Sequence, residues 1–164
     1  MRDPNELGEL DTIERVLDHY RGAIVWKLSG VAEDEARRAM VPSGTSLLGI
    51  VKHLGYTERE WFQGAIAGRD LLLPFDDENP DGDWVLEDDD TVASIIAFYE
   101  AECEASRAVA SSTTDPATLV PWDDGEVSVR RVVVHMLEET ARHAGHMDIM
   151  REQIDGATGS FPDD

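Results

Sequence analysis

The sequence predicts an all-α protein built as a four-helix bundle, with a long crossover loop between the second and third helices. Four segments repeat apolar residues at the spacing of an α-helix, and neither β-strand alternation nor an internal repeat is evident. One long connection lies between the second and third segments, as in bundles with a crossover. With 164 residues the chain has the length of one domain, so we expect residues 1–164 to form a single one.

The first two helices have local start and stop signals. The first is expected to begin at Asp11, because D-T-I-E is a capping box, and to end at Gly30. The second is expected to begin near Thr45 or Ser46, after P-S-G, and to end before Gly68. The predicted inward residues are Ile13, Leu17, Tyr20, Ile24 and Leu28, then Leu47, Val51, Leu54, Trp61 and Ala65.

The last two helices are bounded in the same way. The third follows Asp88–Asp90, whose negative charge suits a helix N-terminus, and is expected to reach about Ala110. The fourth follows Ser128 and ends before Gly156. The predicted inward residues are Ile95, Phe98 and Tyr99, then Val133, Met136, Leu137, Thr140, Ala144, Met147 and Ile154.

The charge balance is strongly acidic. Fourteen Lys and Arg face 35 Asp and Glu, which gives a net charge of −21. Such a field repels nucleic acid and anionic membranes, so neither is expected as a partner. Much of the acid lies in the stretch Asp76–Asp90, which forms most of the connection between the second and third helices.

Segments that would direct the chain elsewhere are not evident. No apolar stretch approaches the ~20 residues that span a bilayer. The start, MRDPNELGEL, lacks the apolar segment of a secretory signal, so a cytoplasmic location is expected. Cys103 is the only cysteine, which excludes an intramolecular disulfide and a thiolate zinc cluster.

Three of the five histidines lie on the fourth predicted helix. Glu139 and His143 are four residues apart, so both side chains can reach one ion. At about 100° per residue, His143 lies about 60° from the apolar centre, His146 about 120° and His135 about 140°. His143 is therefore expected to face inward and His135 to be the most solvated. His53 flanks the apolar stripe of the second helix, so the spacing is compatible with a metal site at the bundle's edge, but equally with ordinary ion pairs.

Two runs of the sequence resemble a known family. P-S-G-T-S-L-L-G-I-V-K-H-L-G-Y-T-E-R-E-W-F at 42–62 and M-L-E-E-T-A-R-H-A-G-H-M-D-I-M-R-E-Q-I-D-G at 136–156 resemble the DinB-like superfamily. The resemblance is closer to its actinobacterial branch, related to mycothiol-dependent maleylpyruvate isomerase. It extends over nearly the whole chain and includes W-K-L-S-G at 26–30. The additional C-terminal domain of the isomerase is not recognised, so its substrate is not carried over.

The resemblance implies a divalent metal ion, zinc or nickel, held by three side chains of the bundle. Its ligand positions match His53, Glu139 and His143, and His146 falls at a position that could add a fourth contact. The Glu–His version of the last-helix pair is the one associated with the isomerase, which favours a small thiol, mycothiol or a similar compound, as cofactor. Homodimers are frequent among relatives, so a homodimer is possible here.

Three protein ligands would leave a coordination position open for chemistry. Our first hypothesis is a metal-dependent enzyme that uses a small thiol for S-transfer or isomerisation of an electrophilic small molecule. The alternatives are a metal-dependent hydrolase and a non-catalytic metal-binding or stress protein whose acidic loop Asp76–Asp90 binds a basic partner. Cys103 is expected to be a packing residue, so the thiol would come from a small molecule.

Several neighbours of the predicted site are expected to have supporting roles. Thr57 and Glu60 share the His53 side of the second helix, and either could orient the His53 ring. Arg142 could bind a substrate carboxylate. Trp84 and Trp122 lie in the two loops, where they could cap the cleft.

Overall fold

The computed structural model describes residues 8–122 and 125–161, and over these ranges the protein is mainly α-helical. None of the helices in the described ranges is long and apolar enough to cross a membrane. Most of the N-terminal segment considered above for a signal lies outside the described residues, as do both ends of the predicted domain. The helices are α1 (Glu9–Leu28), α2 (Glu33–Arg37), α3 (Leu47–Glu58), α4 (Val92–Ser112) and α5 (Val129–Asp155).

Two helical pieces adjoin these five helices. The segment Arg59–Ile66 continues α3 as a π-helix. The second predicted helix is therefore continuous but changes from α-helical to π-helical geometry at Arg59. The piece Gly82–Trp84 forms one turn of 3₁₀-helix in the connection between α3 and α4. π-Helical turns are rare and are frequently found at functional sites, and this segment directly follows the part of α3 that carries His53.

Local caps account for several helix ends. The Ser46 hydroxyl accepts a hydrogen bond from the Gly49 N–H at 3.1 Å and starts α3. The Ser128 hydroxyl accepts one from the Arg131 N–H at 3.3 Å and starts α5. Gly156 ends α5 with φ of 76°, a left-handed conformation that favours glycine. The predicted starts near Ser46 and after Ser128, and the predicted end before Gly156, are confirmed.

The predicted start of the first helix is wrong by two residues. Helix α1 runs from Glu9, and the N–H of Thr12 donates to the carbonyl of Gly8 at 3.0 Å. Gly8 is the N-cap, so Asp11 does not cap the helix. Glu9 and Asp11 instead lie in the first turn, where negative charge is favourable.

The long helices contact one another in several pairs. Helix α1 lies along α5, and α3 contacts both α4 and α5. Six of the predicted inward residues are half-buried: Ile13, Tyr20, Trp61, Phe98, Leu137 and Ile154. The others are buried: Leu17, Ile24, Leu28, Leu47, Val51, Leu54, Ala65, Ile95, Tyr99, Val133, Met136, Thr140, Ala144 and Met147.

A buried ion pair joins α1 to α3. The Arg21 guanidinium donates from Nε to Glu58 Oε1 at 2.7 Å and from Nη2 to Oε2 at 2.6 Å. Its third nitrogen, Nη1, donates to Asp18 at 2.9 Å. Arg21 is 3% exposed and Glu58 0% exposed, so each charge depends on the other for its compensation.

A short β-hairpin, which the sequence did not predict, precedes α5. Strands β1 (Leu119–Trp122) and β2 (Gly125–Ser128) pair antiparallel, with Val120 opposite Val127. The prediction that the chain has no strands is therefore wrong in this detail, although the mainly α class is confirmed. Strands of four residues show too few alternations to stand out in a sequence, and Pro121 in β1 argues further against a strand.

The connection from 67 to 91 lies against α3 and brings a polar segment to its side. Lys52 on α3 donates from Nζ to Asp90 Oδ2 at 2.7 Å. The 3₁₀ turn contacts α3 directly. A Cβ at Gly82 would overlap the backbone carbonyl of Pro74, so only glycine fits the turn as it is built.

Candidate metal centre

Two imidazole rings and one carboxylate converge between α3 and α5. Glu139 Oε1 lies 2.9 Å from His143 Nε2 and 3.4 Å from His53 Nε2. One ligand atom from each of the three residues lies within 4.8 Å of the others, and no other such group of His, Cys, Asp or Glu occurs in the described ranges. The two-helix origin follows from geometry, since residues four apart on α5 share a face and α3 packs against it.

The cluster is partly open to solvent. His143 is buried, whereas the side chains of His53 and Glu139 are 16% and 18% exposed. His143 faces inward as the helical angle predicted. Two of the three residues of the cluster thus keep contact with solvent.

Asp83 holds the ring of His53 from the side opposite the cluster. Its Oδ2 lies 2.6 Å from His53 Nδ1, and Asp83 is 5% exposed. The indole of Trp84 stacks on the same ring, with centroids 4.2 Å apart and an interplanar angle of 17°. The ring of His53 is therefore fixed by a hydrogen bond at its edge and by a stacked ring on one face.

Sequence reasoning did not find Asp83. It is one of many acidic residues in the connection before α4, and no spacing relates it to His53, which lies 30 positions earlier. Trp84, expected to cap the cleft, does lie at the cluster, and its ring centroid is 5.6 Å from that of His143.

Hydrogen bonds within the cluster favour the charged forms of Glu139 and His53. Hydrogen bonds from His143 and His53 hold the pKa of the Glu139 carboxyl well below its usual range. Burial opposes protonation of His53, but the hydrogen bonds to Asp83 and Glu139 outweigh it and raise the pKa of His53 above its ordinary value. Glu139 is thus a carboxylate under ordinary conditions, which is the form that ligates a metal.

Two of the predicted supporting residues have other roles in the structure. The Thr57 hydroxyl donates to the backbone carbonyl of His53 at 2.9 Å, so it does not orient the ring as was predicted. Glu60 lies in the π-helical segment and lines a cavity that Trp122 also lines. The contact at His53 Nδ1 comes from Asp83, which is neither of the two predicted residues.

The remaining candidates divide between the cluster and its surroundings. Arg142 lies 3.9 Å from Glu139 Oε2, with its side chain 66% exposed. His146 is exposed, and its ring centroid lies 5.3 Å from that of His143, so the structure does not bring it into the three-residue group. The prediction that His135 is the most solvated histidine of this helix is wrong, because His135 is half-buried and His146 is exposed. The ring of Trp61, whose centroid lies 4.5 Å from that of His135, partly covers it.

Trp122 does not cap the cluster. It stacks on Trp61, with centroids 3.8 Å apart and an interplanar angle of 18°. This pair joins β1 to the π-helical segment. The hairpin thus packs against the π-helical segment that follows α3, and the tryptophan that contacts the cluster is Trp84 of the connection before α4.

The donor set fits a divalent metal ion. Two ligands held at about 2.1 Å by a tetrahedral ion lie roughly 3.4 Å apart, and Glu139 Oε1 is 2.9 and 3.4 Å from the two Nε2 atoms. The Asp83–His53 pair is the carboxylate–histidine arrangement that orients metal ligands. His143 Nδ1 is the one departure, since it is buried without a hydrogen-bond partner among the described residues.

Fold and cluster together define a mainly helical protein with a His–Glu–His candidate metal centre between neighbouring helices. A family model for the mycothiol-S-transferases matches residues 12–156, and the chain belongs to this family. The match includes all three residues of the cluster, Asp83, and every long helix except the first residues of α1. Neither the search of curated proteins nor that of solved structures gave a match.

Proposed function

We propose that this protein is a divalent-metal-dependent S-transferase that joins mycothiol to an electrophilic small molecule. The observation that carries the proposal is the convergence of His53 Nε2, His143 Nε2 and Glu139 Oε1 within 4.8 Å, in a chain of the mycothiol-S-transferase family. The family favours thiol transfer over the hydrolase considered above. The acidic-loop alternative is weakened because Asp83 and Asp90 make internal ion pairs.

In this proposal His53, Glu139 and His143 hold the metal, and Asp83 keeps His53 oriented. A metal ion would take the place of the Nε2 proton of His53, while the Nδ1 proton would stay donated to Asp83 and keep the Nε2 lone pair directed to the cluster. A bound zinc or nickel ion would supply Lewis acidity that favours the thiolate form of a thiol. His146 stays a predicted additional contact, because its exposed ring is next to His143 and not within the group.

The thiol has to come from outside the chain. Cys103 is 3% exposed, and burial raises the pKa of its thiol far above the ordinary range, so it is a poor nucleophile. In the transfer, the sulfur of the external thiol forms a bond to the electrophilic carbon. The leaving group departs with its bonding electron pair, and the thiol proton is released to solvent.

A hydroxyl-rich cavity beside the cluster suits the polar body of such a thiol. It has a volume of about 530 Å³, and Trp84, which stacks on His53, forms part of its wall. Ser43, Thr45, Ser46 and Asp81 add polar side chains to the lining. Hydroxyl and carboxylate groups hydrogen-bond to polyols, so this cavity is the proposed site of the thiol's body.

The finer predictions about the whole molecule belong to the same proposal. The contacts of α1 with α5 and of α3 with α4 support a four-helix bundle in one domain, with residues 67–91 as the crossover. A cytoplasmic location and a homodimer stay predictions.

The proposal is tested by metal content and conjugation activity measured on the same preparations. Zinc-repleted protein is expected to contain stoichiometric zinc and to conjugate mycothiol, and both properties should be lost in His53→Ala and His143→Ala. His135→Ala is the matched control, because it removes a histidine of α5 outside the cluster and should retain both. Wild-type protein that stays free of metal after repletion with zinc and nickel would refute the proposal.

A further inference from the structure

A second cavity shares part of its wall with the hydroxyl-rich one but lacks the carboxylate of Asp81. Its volume is about 320 Å³. Among residues 8–122 and 125–161, no Asp, Glu, Lys or Arg contributes to its wall, although the chain as a whole carries a net charge of −21. The wall consists of Met40, Val41, Ser43, Thr45, His146, Ile149, Met150 and Gln153.

The cavity adjoins the metal cluster. His146 lines it, and the ring of His146 lies 5.3 Å from that of His143. Ser43 and Thr45 line both this cavity and the hydroxyl-rich one. Two cavities that differ in charge, since Asp81 lines only the hydroxyl-rich one, therefore share a wall next to one group of candidate ligands.

The apolar side chains of the wall are accessible and held in place. Val41 is 44% exposed and Ile149 60% exposed, although large apolar residues prefer burial. A closed turn supports Val41: the N–H of Met40 donates to Thr45 O at 2.9 Å, and that of Gly44 to Val41 O at 3.0 Å. Gly44 has φ of 92°, which the turn requires and which disfavours other residues. The wall is thus preformed, as small-molecule sites usually are.

We propose that this cavity binds the acceptor of the thiol, and that the acceptor is an uncharged, largely apolar electrophile. The proposal rests on the S-transferase function and assigns its second substrate. The apolar wall favours transfer of apolar surface from water, and the acidic field of the chain disfavours anionic acceptors. With 1-chloro-2,4-dinitrobenzene as acceptor, the carbon–sulfur bond forms as the carbon–chlorine bond breaks, and chloride and the thiol proton leave.

Binding can be measured without metal, thiol or turnover. Protein with ¹³C-labelled methionine methyl groups is titrated with 1,3-dinitrobenzene, an unreactive relative of the acceptor. We expect saturable shifts of the Met40 and Met150 methyl signals. Met136, which is fully buried and does not line the cavity, is the internal control and should not shift.

A pair of identical substitutions tests the role of the cavity in turnover. Val41→Asp places a carboxylate in the wall, whereas Val134→Asp makes the same change on α5 at a similar exposure, 42% against 44%. Val134 is not part of the cavity wall. We expect Val41→Asp to lower kcat/KM for 1-chloro-2,4-dinitrobenzene about tenfold, a typical effect in an apolar pocket, and Val134→Asp to leave it near the wild-type value.

A charged acceptor separates the cavity from the field of the whole chain. For wild-type protein we expect kcat/KM with 4-chloro-3-nitrobenzoate to be well below that of the neutral acceptor. The ratio of kcat/KM for the anionic acceptor to kcat/KM for the neutral acceptor should be the same in Val134→Asp as in the wild-type protein. Val134→Asp carries the same net charge as Val41→Asp. A field effect alone would change both variants equally and would overturn the assignment to the cavity.

The outcomes distinguish this inference from the proposed function. Conjugation of the neutral acceptor without shifts at Met40 and Met150 would overturn the cavity assignment and leave the S-transferase function standing. Shifts at both methyl groups without any conjugation would support the cavity as a binding site and refute the S-transferase function. A wild-type preference for the anionic acceptor would overturn the proposed substrate class.

Discussion

Removal of the Asp83 carboxylate is expected to weaken metal binding more than any other change outside the three candidate ligands. Asp83 Oδ2 lies 2.6 Å from His53 Nδ1, and the two side chains are 7% and 16% exposed. Loss of a partner that orients a ligating histidine typically lowers metal affinity by about 10–100-fold, which corresponds to about 1.4–2.7 kcal/mol. Because burial leaves little water to replace the carboxylate, we expect Asp83→Ala to fall in the upper half of this range.

The assay is a competitive zinc titration against a chromophoric chelator, with the free energy of unfolding of the metal-free protein measured in parallel. Asp77→Ala is the matched control, since Asp77 is an exposed acid of the same connection. It should leave the zinc affinity near the wild-type value. An affinity of Asp83→Ala equal to that of Asp77→Ala would refute the argument that Asp83 orients His53 for metal binding.

Three further predictions concern packing and the loop. Arg21→Met should lower the free energy of unfolding by about 3–5 kcal/mol, because it leaves Glu58 charged and buried; urea unfolding should show a smaller loss in Arg21→Met/Glu58→Leu, and an equal or larger loss would contradict this. Cys103 should resist iodoacetamide in the native protein and react after unfolding in urea, as mass spectrometry would show; rapid native labelling would be inconsistent with its burial. Gly82→Ala should lower zinc affinity about tenfold by displacing the loop that orients His53, whereas Gly145→Ala, where a Cβ meets nothing within 4 Å, should not; equal affinities would argue against a fixed loop.

The parts of the fold that depend on neighbouring residues were predictable from the sequence. Ser46 and Ser128 start helices because their hydroxyls cap nearby N–H groups, and Gly156 ends one because its backbone is left-handed. Such signals are complete within a few residues. Apolar spacing likewise placed His143 inward, because the angle around one helix decides which side faces the core.

The parts that depend on distant contacts were not predictable in this way. Asp83 differs from other acids of its loop only because the loop folds back on α3. The angle around α5 predicted that His135 faces solvent. That angle takes no account of other helices, and Trp61 of the π-helical segment partly covers the His135 ring. Thr57, one of the two side chains that could orient His53, shares its helix and donates to the backbone carbonyl of His53, as hydroxyls within helices commonly do.

The assignment of Glu139 to the cluster needed both kinds of information. Its spacing from His143 was compatible with an ion pair or with shared ligation. The resemblance to DinB-like proteins favoured ligation, and the structure brings its carboxylate within 3.4 Å of the ring of His53 on the other helix. A contact between helices is the feature that spacing along one helix cannot supply.

Optical spectroscopy of the cobalt-substituted protein tests most directly the claim that a thiol is used at the His53–Glu139–His143 centre. Addition of mycothiol to wild-type protein loaded with Co²⁺ should produce a sulfur-to-cobalt charge-transfer absorption. The absorption should be absent from His143→Ala and retained in His135→Ala. Stoichiometric cobalt binding with no new absorption at saturating mycothiol would contradict the account, because it would show a metal centre that does not engage the thiol.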